Sequence, residues 1–288
     1  MKKIGIFTFL MISLMLNLKS IKAQVMDSPP LDGVYQKIQV VNRKPVAYAP
    51  LREADVFWEK RVWRVIDLRQ KMNQPFYYPT QAVNGRRSLM QVLFDAIKEG
   101  SITAYEPGSD EFLVPETYDQ VMKILNKKDS TQIEVPDPNN PGQTILKDTM
   151  IVKNFDPSQV KKIRIKEDWF FDKQRSVMDV RIVGICPILD LFEADGVTSK
   201  GTQPLFWLYF PEARPIFAKA EVFNRFNDAE RRTYDDVFFK RMFESYIYKE
   251  ANVYDRFISD YAKGMDALLE SERIKNDIFL FEHDLWEY

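Results

Sequence analysis

The sequence predicts an α+β fold: an antiparallel sheet in the second half of the chain, flanked by amphipathic helices, with a helical region nearer the N-terminus. The clearest strand pattern is the strict alternation of charged and apolar residues at 162–166. A turn at 172–176 connects it to a second alternating run at 178–183, as in an antiparallel hairpin. Apolar residues at helical spacing recur before and after this hairpin, which indicates helices packed on the sheet.

The segment Glu53–Pro79 dominates the prediction for the first half of the chain. At about 100° per residue it has the pattern of a helix of roughly five turns. Asn73 and Pro75 end this helix, because proline lacks a backbone N–H and clashes with the preceding turn. An aromatic, extended stretch follows it: Phe76, Tyr77 and Tyr78.

The two tryptophans of this segment fall on different sides of the predicted helix. Trp58 lies on the apolar stripe and is expected in the core, whereas Trp63 and Arg64 lie on the charged side. Tryptophan and arginine are enriched among the residues that dominate protein interfaces. Trp63 and Arg64 are therefore candidate contacts to a partner. The alternative is that a neighbouring segment of the same chain covers Trp63.

The rest of the first half contains two more helix signals. Ser88 can cap a helix that Gly100 ends, and Pro115 opens another that runs through Leu125. A short strand is expected at 102–105, and two strand-like runs flank an exposed hairpin loop at 136–142.

In the C-terminal part, residues 205–210 have the pattern of a central strand buried on both faces. Helices are predicted from Pro215 to about residue 226, from about 228 to 250, and over 254–269. Residues 278–288 are too apolar for a solvated tail. They either dock on the sheet of their own chain or supply an edge strand or an aromatic anchor, Trp286, to a partner.

Residues 1–23 have the features of a signal peptide: two lysines, an apolar run and a small residue, Ala23, before the expected cleavage site. The predicted domains are this signal peptide at 1–23, an extended arm at 24–50, a mainly helical region at 51–130, and a sheet with C-terminal helices at 131–288. The last two are expected to form one compact domain. The mature protein is expected in the periplasm, attached to a membrane only indirectly, through partners.

Composition and charge exclude some function classes. With 41 basic and 42 acidic residues the chain lacks the basic surplus of a nucleic-acid-binding protein. Cys186 is the only cysteine, so no intrachain disulfide can form. It is expected to be a buried, inert thiol, with an interchain disulfide as the alternative. The 21 Phe, 13 Tyr and 5 Trp are consistent with a large core and with interface surfaces.

The search for catalytic residues finds little. His283 is the sole histidine, which excludes multi-histidine metal sites and requires any histidine-dependent triad or dyad to include it. No phosphate loop, nucleophile elbow or zinc motif occurs, so no cofactor or metal is predicted. Acidic pairs such as Glu167-Asp168 and Asp235-Asp236 could serve a hydrolase that needs two carboxylates, although a chain with 42 acidic residues contains such pairs by chance.

Two stretches resemble the signature region of the GldN/PorN family: Trp58–Asp67 and Lys71–Pro79. The resemblance extends to the block Glu167–Asp172 and to the aromatic C-terminal helices, and so to the whole mature chain. GldN/PorN proteins are gliding-motility and type IX secretion proteins of Bacteroidetes. The resemblance implies a non-catalytic structural subunit rather than an enzyme.

The resemblance also implies partners. The chain would form a ring with a GldK/PorK-type lipoprotein beneath the outer membrane, with self-association around the ring, and would meet a GldM/PorM-type periplasmic shaft protein. The candidate interface residues, chosen from the sequence pattern alone, are Trp63, Arg64, Phe76, Tyr77, Tyr78 and Trp286. The main alternative is a periplasmic hydrolase of envelope glycans that acts through paired carboxylates. A further alternative is a carbohydrate-binding module.

Overall fold

The structure, a computed structural model, describes residues 34, 40, 42–136, 144–153, 155–192, 199–225, 227 and 229–285. The expected signal peptide, nearly all of the arm before Arg43, and Trp286 lie outside these residues. None of the described helices is both long and apolar enough to cross a membrane.

Most of the described strands belong to one antiparallel sheet. The strands are β1 (Val56–Asp67), β2 (Ala104–Tyr105), β3 (Pro115–Glu116), β4 (Lys127–Pro136), β5 (Thr144–Lys153), β6 (Lys162–Asp172), β7 (Val177–Phe192), β8 (Ser199–Pro204), β9 (Trp207–Tyr209), β10 (Glu221–Val222), β11 (Arg232–Thr233) and β12 (Tyr246–Glu250). The main sheet has the order β12-β1-β6-β7-β9-β2-β3, and β8 also pairs with β7. The hairpins β4-β5 and β10-β11 form separate two-stranded sheets.

Six α-helices are described: α1 (Gln74–Tyr77), α2 (Leu89–Lys98), α3 (Tyr118–Leu125), α4 (Phe210–Phe217), α5 (Tyr234–Phe239) and α6 (Met265–Asp284). The predicted α+β class with a large antiparallel sheet is confirmed. The sheet also includes β1, β2 and β3 from the first half of the chain, whereas the sequence predicts a sheet in the second half alone.

The predicted helix from Glu53 to Asn73 is wrong, and so is the extended conformation predicted for Phe76 and Tyr77. A 3-10 turn at Glu53–Asp55 leads into the 12-residue strand β1, and the short helix Gln74–Tyr77 lies where the sequence predicts the extended segment to begin. Trp58, Val62 and Ile66 are four residues apart, a spacing that puts them on one side of a helix and also on one face of a strand. Pairing with β6 along nearly the whole strand, and with β12 at Val62–Val65, decides in favour of the strand.

The two faces of β1 enter different parts of the core. Trp58 and Val62 pack with Ile274 and Ile278 of α6, and Ile66 joins the main core beneath the other helices. Trp63 faces the other way and packs with Cys186 and Trp207. Strand alternation thus places the two tryptophans on opposite faces of the sheet.

Several local predictions are confirmed. Ser88 forms a capping box with Gln91 at the start of α2. The Pro115 helix begins slightly later, at Tyr118, where Thr117 caps it. The hairpin over 162–183 is present as β6 and β7. The expected strand at 205–210 is central but short, because it comprises only β9. Residues 137–143 of the predicted hairpin loop lie outside the described residues.

The C-terminal helices differ from the prediction. Pro215 lies inside α4, and Pro211 occupies its opening turn. The single helix predicted over 228–250 is wrong. The apolar residues of this range are divided between the short helix α5 and the strand β12. Residues 254–264 are not α-helical, and α6 starts at Met265. The segment from 278 to 284 belongs to this helix, so the edge-strand alternative is wrong for these residues.

The described end of the N-terminal arm lies on its own chain. Arg43 forms an ion pair with Asp236, 2.6 Å apart. The Tyr48 ring lies 4.1 Å from the guanidinium carbon of Arg214, which also pairs with Asp235 at 2.8 Å in the interior. Cation–π contacts of this kind stabilise a desolvated aromatic ring. Residues 43–50 are therefore ordered by contacts within the chain.

Gly184 allows a close approach between the sheet and a loop. A Cβ atom at this position would lie 2.6 Å from the ring of Phe112 and 3.2 Å from that of Trp207. Gly184→Ala is expected to push the Phe112 ring away and to lower stability by about 1–2 kcal/mol. Thermal unfolding measures this, and we expect a decrease of a few degrees in Tm.

Gly108→Ala is the matched control, because a Cβ there meets only Glu106 at 3.5 Å. In the Phe112→Ala background, the Gly184→Ala change should cost clearly less. An unchanged cost in that background would show that Phe112 is not the obstacle.

Candidate partner interface

Trp63 lies in the interior of its own chain. Only 7% of the residue is exposed, and its indole N–H donates to Asp110 Oδ2 over 2.6 Å. Lys249 Nζ lies 4.6 Å from the ring centroid, and Lys166 Nζ lies 5.9 Å from it. The alternative, that a segment of the same chain covers Trp63, is therefore what the structure shows. The reasoning that placed Trp63 on an outer helix face is wrong because the segment is a strand.

Asp110 holds this cluster together electrostatically. Its carboxylate lies 3.2 Å from Lys166 Nζ, and its backbone carbonyl accepts from the same ammonium over 2.8 Å. Burial alone would raise the pKa of Asp110, but the hydrogen bond from Trp63 and the charge of Lys166 outweigh it. The pKa is lowered from its ordinary value of 3.8.

Arg64 is also buried, at 6% exposure, on the opposite face of β1. Its Nε donates to Ser245 Oγ over 2.9 Å. Burial is the main cause of a lowered pKa, although an arginine stays charged at physiological pH. Arg64 lines a small pocket between the sheet and α6, which also includes Arg241 and Lys275. Its side chain is therefore held inside the chain, although it borders this pocket.

The aromatic stretch after β1 divides between core and surface. Phe76 is 1% exposed and contacts Tyr234, Phe238 and Phe243. Tyr77 is half-buried and donates its hydroxyl to the Ser158 carbonyl over 2.9 Å. Tyr78 is 54% exposed. Of the three, Tyr78 presents the largest free surface.

Tyr78 borders an apolar groove of about 630 Å³. The apolar lining comes from α1, the residues after it and the segment after β10: Pro75, Tyr78, Pro79, Val83 and Phe223. A second hollow of about 410 Å³ shares several of these residues and adds Met72 and Met242. We call this combined feature the α1 groove. Its volume lies in the range of ordinary ligand pockets.

Basic side chains border the α1 groove: Lys71, Arg86, Arg225 and Arg232. No acidic residue lines either hollow among the described residues. Arg86 and Arg232 are balanced by Glu221 and Glu230, each 3.2 Å away. Lys71 is exposed and makes no ion pair with any described residue. The groove therefore favours an apolar group that carries negative charge.

Sequence reasoning reached Tyr78 but missed Val83, Phe223 and Arg225. Residues 223 and 225 lie far from 78 in the chain, and only the fold brings them together. The dipeptide Asn84-Gly85 is a typical turn signal beside Val83, but nothing in the sequence pattern shows which side of this turn faces the groove.

The carboxylates considered for hydrolysis have structural roles. Glu167 is fully buried and binds Arg241 at 2.8 Å, while Asp168 on the other strand face binds Arg61 at 2.6 Å. Asp235 pairs with Arg214, and its neighbour Asp236 caps α5 and binds Arg43. Each carboxylate is neutralised by an arginine, and strand alternation separates the first pair. The geometry does not favour a two-carboxylate hydrolase.

His283 and Cys186 are two further side chains that the sequence singles out as potentially reactive. His283 lies exposed on α6, and no cluster of three potential metal ligands occurs in the part of the chain described. Cys186 is fully buried, and burial raises the pKa of its thiol to about 12. This burial leaves no accessible thiol for an interchain disulfide.

A family model described as gliding motility associated protein GldN matches residues 51–287. The chain belongs to the GldN family. The resemblance seen in the sequence is thereby confirmed. The matched range includes the residues of the α1 groove and nearly all of residues 278–288. A comparison with curated protein sequences found no match. The GldN assignment associates the chain with gliding motility.

Trp63 and Tyr78 of this GldN-family chain make a matched pair of substitutions. Trp63→Ala removes a buried aromatic side chain and is expected to cost about 3–5 kcal/mol, which corresponds to a fall in Tm of roughly 6–20 °C. Tyr78→Ala removes a largely exposed ring and should leave Tm within about 2 °C. Equal melting temperatures for Trp63→Ala and the unsubstituted chain would contradict the core role.

Asp110→Asn tests the charge in the Trp63 cluster. A lowered folded-state pKa stabilises the protein above the ordinary carboxyl pKa, and this stabilisation is lost as pH falls through the folded-state value. We expect Asp110→Asn to lower Tm at pH 7 and the difference from the unsubstituted chain to shrink below about pH 4. A difference that stays constant from pH 7 to pH 3 would contradict this assignment.

Proposed function

We propose that the chain is a non-catalytic structural subunit of the gliding-motility and type IX secretion machinery, located in the periplasm. In this proposal it forms a ring with a GldK/PorK-type lipoprotein of the outer membrane and contacts a GldM/PorM-type shaft protein. The membership in the GldN family is the observation that carries the proposal.

The described surface supports an assembly role. The α1 groove combines exposed apolar side chains with basic residues, as anchor pockets of protein interfaces do. On α6, several apolar side chains point into solvent: Met265, Leu268, Leu269, Phe279 and Leu280. Exposed apolar side chains of this kind can contribute to interaction sites. The chain therefore offers two separate surfaces for partners.

The interior supports a rigid subunit rather than an active site. Buried acids pair with arginines from other segments, as in Asp235–Arg214 and Glu167–Arg241. These four side chains are therefore engaged with each other and are not placed for proton transfer to a substrate. The hydrolase alternative gains no support from these contacts.

Isolation of the envelope complex tests the proposal. Affinity purification of the tagged chain from detergent-extracted envelopes is expected to yield a very large particle that contains a lipoprotein, and particle imaging should show a ring. Tyr78→Ala is a suitable probe of the groove in this preparation, because it should leave the fold unchanged. Recovery of a solitary chain that cleaves envelope glycan would overturn the proposal.

A further inference from the structure

We infer that the α1 groove binds the C-terminal segment Trp286-Glu287-Tyr288 of a second copy of this chain. This inference rests on the proposed function, whose self-association it assigns to specific residues. The contact is head-to-tail: each copy contributes its groove to one neighbour and its C-terminal segment to the other. Contacts of this kind can continue from subunit to subunit and close into a ring.

The first support is chemical complementarity. The groove is apolar and bordered by basic side chains, with no acidic lining residue among those described. The segment after Lys275 contains no lysine or arginine, and its last residues combine bulky apolar with acidic side chains: Asp284, Leu285, Trp286, Glu287 and Tyr288. Tryptophan is the side chain most enriched at interface anchor positions, and the groove volume exceeds what one indole needs.

The second support is the distance that a chain's own segment would have to cover. Helix α6 runs antiparallel to β1. Near its start, Ser271 accepts a hydrogen bond from the amide of Ile247, which lies on β12 opposite Arg64 of β1. Near its end, Phe281 stacks on Trp58, with ring centroids 4.6 Å apart. The helix therefore ends near the beginning of β1. The groove lies beyond the other end of β1, where Asn73 donates to the Asp67 carbonyl.

These two places are far apart in one copy. Trp58 and Asp67 are nine residues apart in an extended strand, which corresponds to roughly 30 Å. Residues 286–288 span at most about 11 Å. The segment of the same copy thus cannot reach the groove while α6 is docked, whereas that of a neighbouring copy can.

A labelled peptide tests recognition directly. The probe is a fluorescent peptide of sequence His-Asp-Leu-Trp-Glu-Tyr, residues 283–288, titrated with the full mature chain that carries Trp286→Ala. This receptor cannot supply its own Trp286, so its groove is available. We expect saturable binding in fluorescence anisotropy. Lys71→Glu in the receptor should weaken the affinity about tenfold, because it reverses a charge at the groove rim.

A charge exchange tests the register of the contact. A peptide with Glu287→Lys should bind the original groove weakly, and its binding should recover with the Lys71→Glu receptor. Lys263→Glu, an exposed change outside the groove, is the control and should leave binding unchanged. Failure of the original peptide to bind, or equal binding to the Lys71→Glu receptor, would overturn the inference.

Mixing two defective chains tests the head-to-tail arrangement. One chain carries Lys71→Glu and Tyr78→Ala in the groove, and the other carries Trp286→Ala. Neither is expected to self-associate in analytical ultracentrifugation, although both should melt near the temperature of the unsubstituted chain. Their equimolar mixture should form heterodimers and nothing larger, since one intact groove and one intact segment remain.

The outcomes separate this inference from the proposed function. Self-association that persists in both defective chains overturns the inference. So does an unsubstituted chain that stays monomeric at every concentration because its own segment occupies its groove. If the groove-defective chain still co-purifies with the lipoprotein, the proposed function stands without this contact. An unsubstituted chain that neither self-associates nor co-purifies with a lipoprotein would refute the proposed function itself.

Discussion

Strand β1 provides the pairing on which the rest of the structure depends. It is hydrogen-bonded to β6 along nearly its whole length and to β12 on its other side. Because side chains alternate along a strand, one face of β1 carries Trp58 and Val62 to α6, and the other carries Trp63 to the Cys186 cluster. A shift of β1 by one residue would exchange these two faces, so the two different cores specify a single register.

Charged residues tie the segments around this strand together. Glu167 is fully buried on β6 and receives two hydrogen bonds from Arg241, which comes from the turn before β12. Arg214 joins α4 to Asp235 of α5 and also donates to the Val46 carbonyl of the arm over 2.6 Å. A buried charge that loses its partner costs several kcal/mol. These pairs therefore penalise alternative arrangements of the loops and of the arm more than they add net stability.

The sequence predicts those parts of the fold whose signals lie within a short stretch of the chain. The Ser88 helix cap and the β6–β7 hairpin depend on residues close in sequence, and the sequence predicts both. The secondary structure of the segment that contains β1 is not determined locally. A four-residue apolar spacing fits a helix and a strand equally, and pairing with β6, some hundred residues away, selects the strand. For the same reason, the sequence pattern could not show that Asp110 and Lys249, which are distant in the chain, contact Trp63. In the groove, Tyr78 could be predicted as an exposed aromatic, but Phe223 and Arg225 could not, because only tertiary contacts bring them to it.

In the proposed head-to-tail contact, the position of the groove relative to α6 gives β1 a further role. The groove and the end of α6 lie at opposite ends of this strand, so its length sets the separation between the two halves of a head-to-tail contact. A ring closes only if that separation and the angle between the two halves are nearly the same in every subunit. A strand paired on both sides varies little in length or direction, whereas surface loops vary more. In the proposed contact, the spacing from one copy to the next thus comes from the sheet.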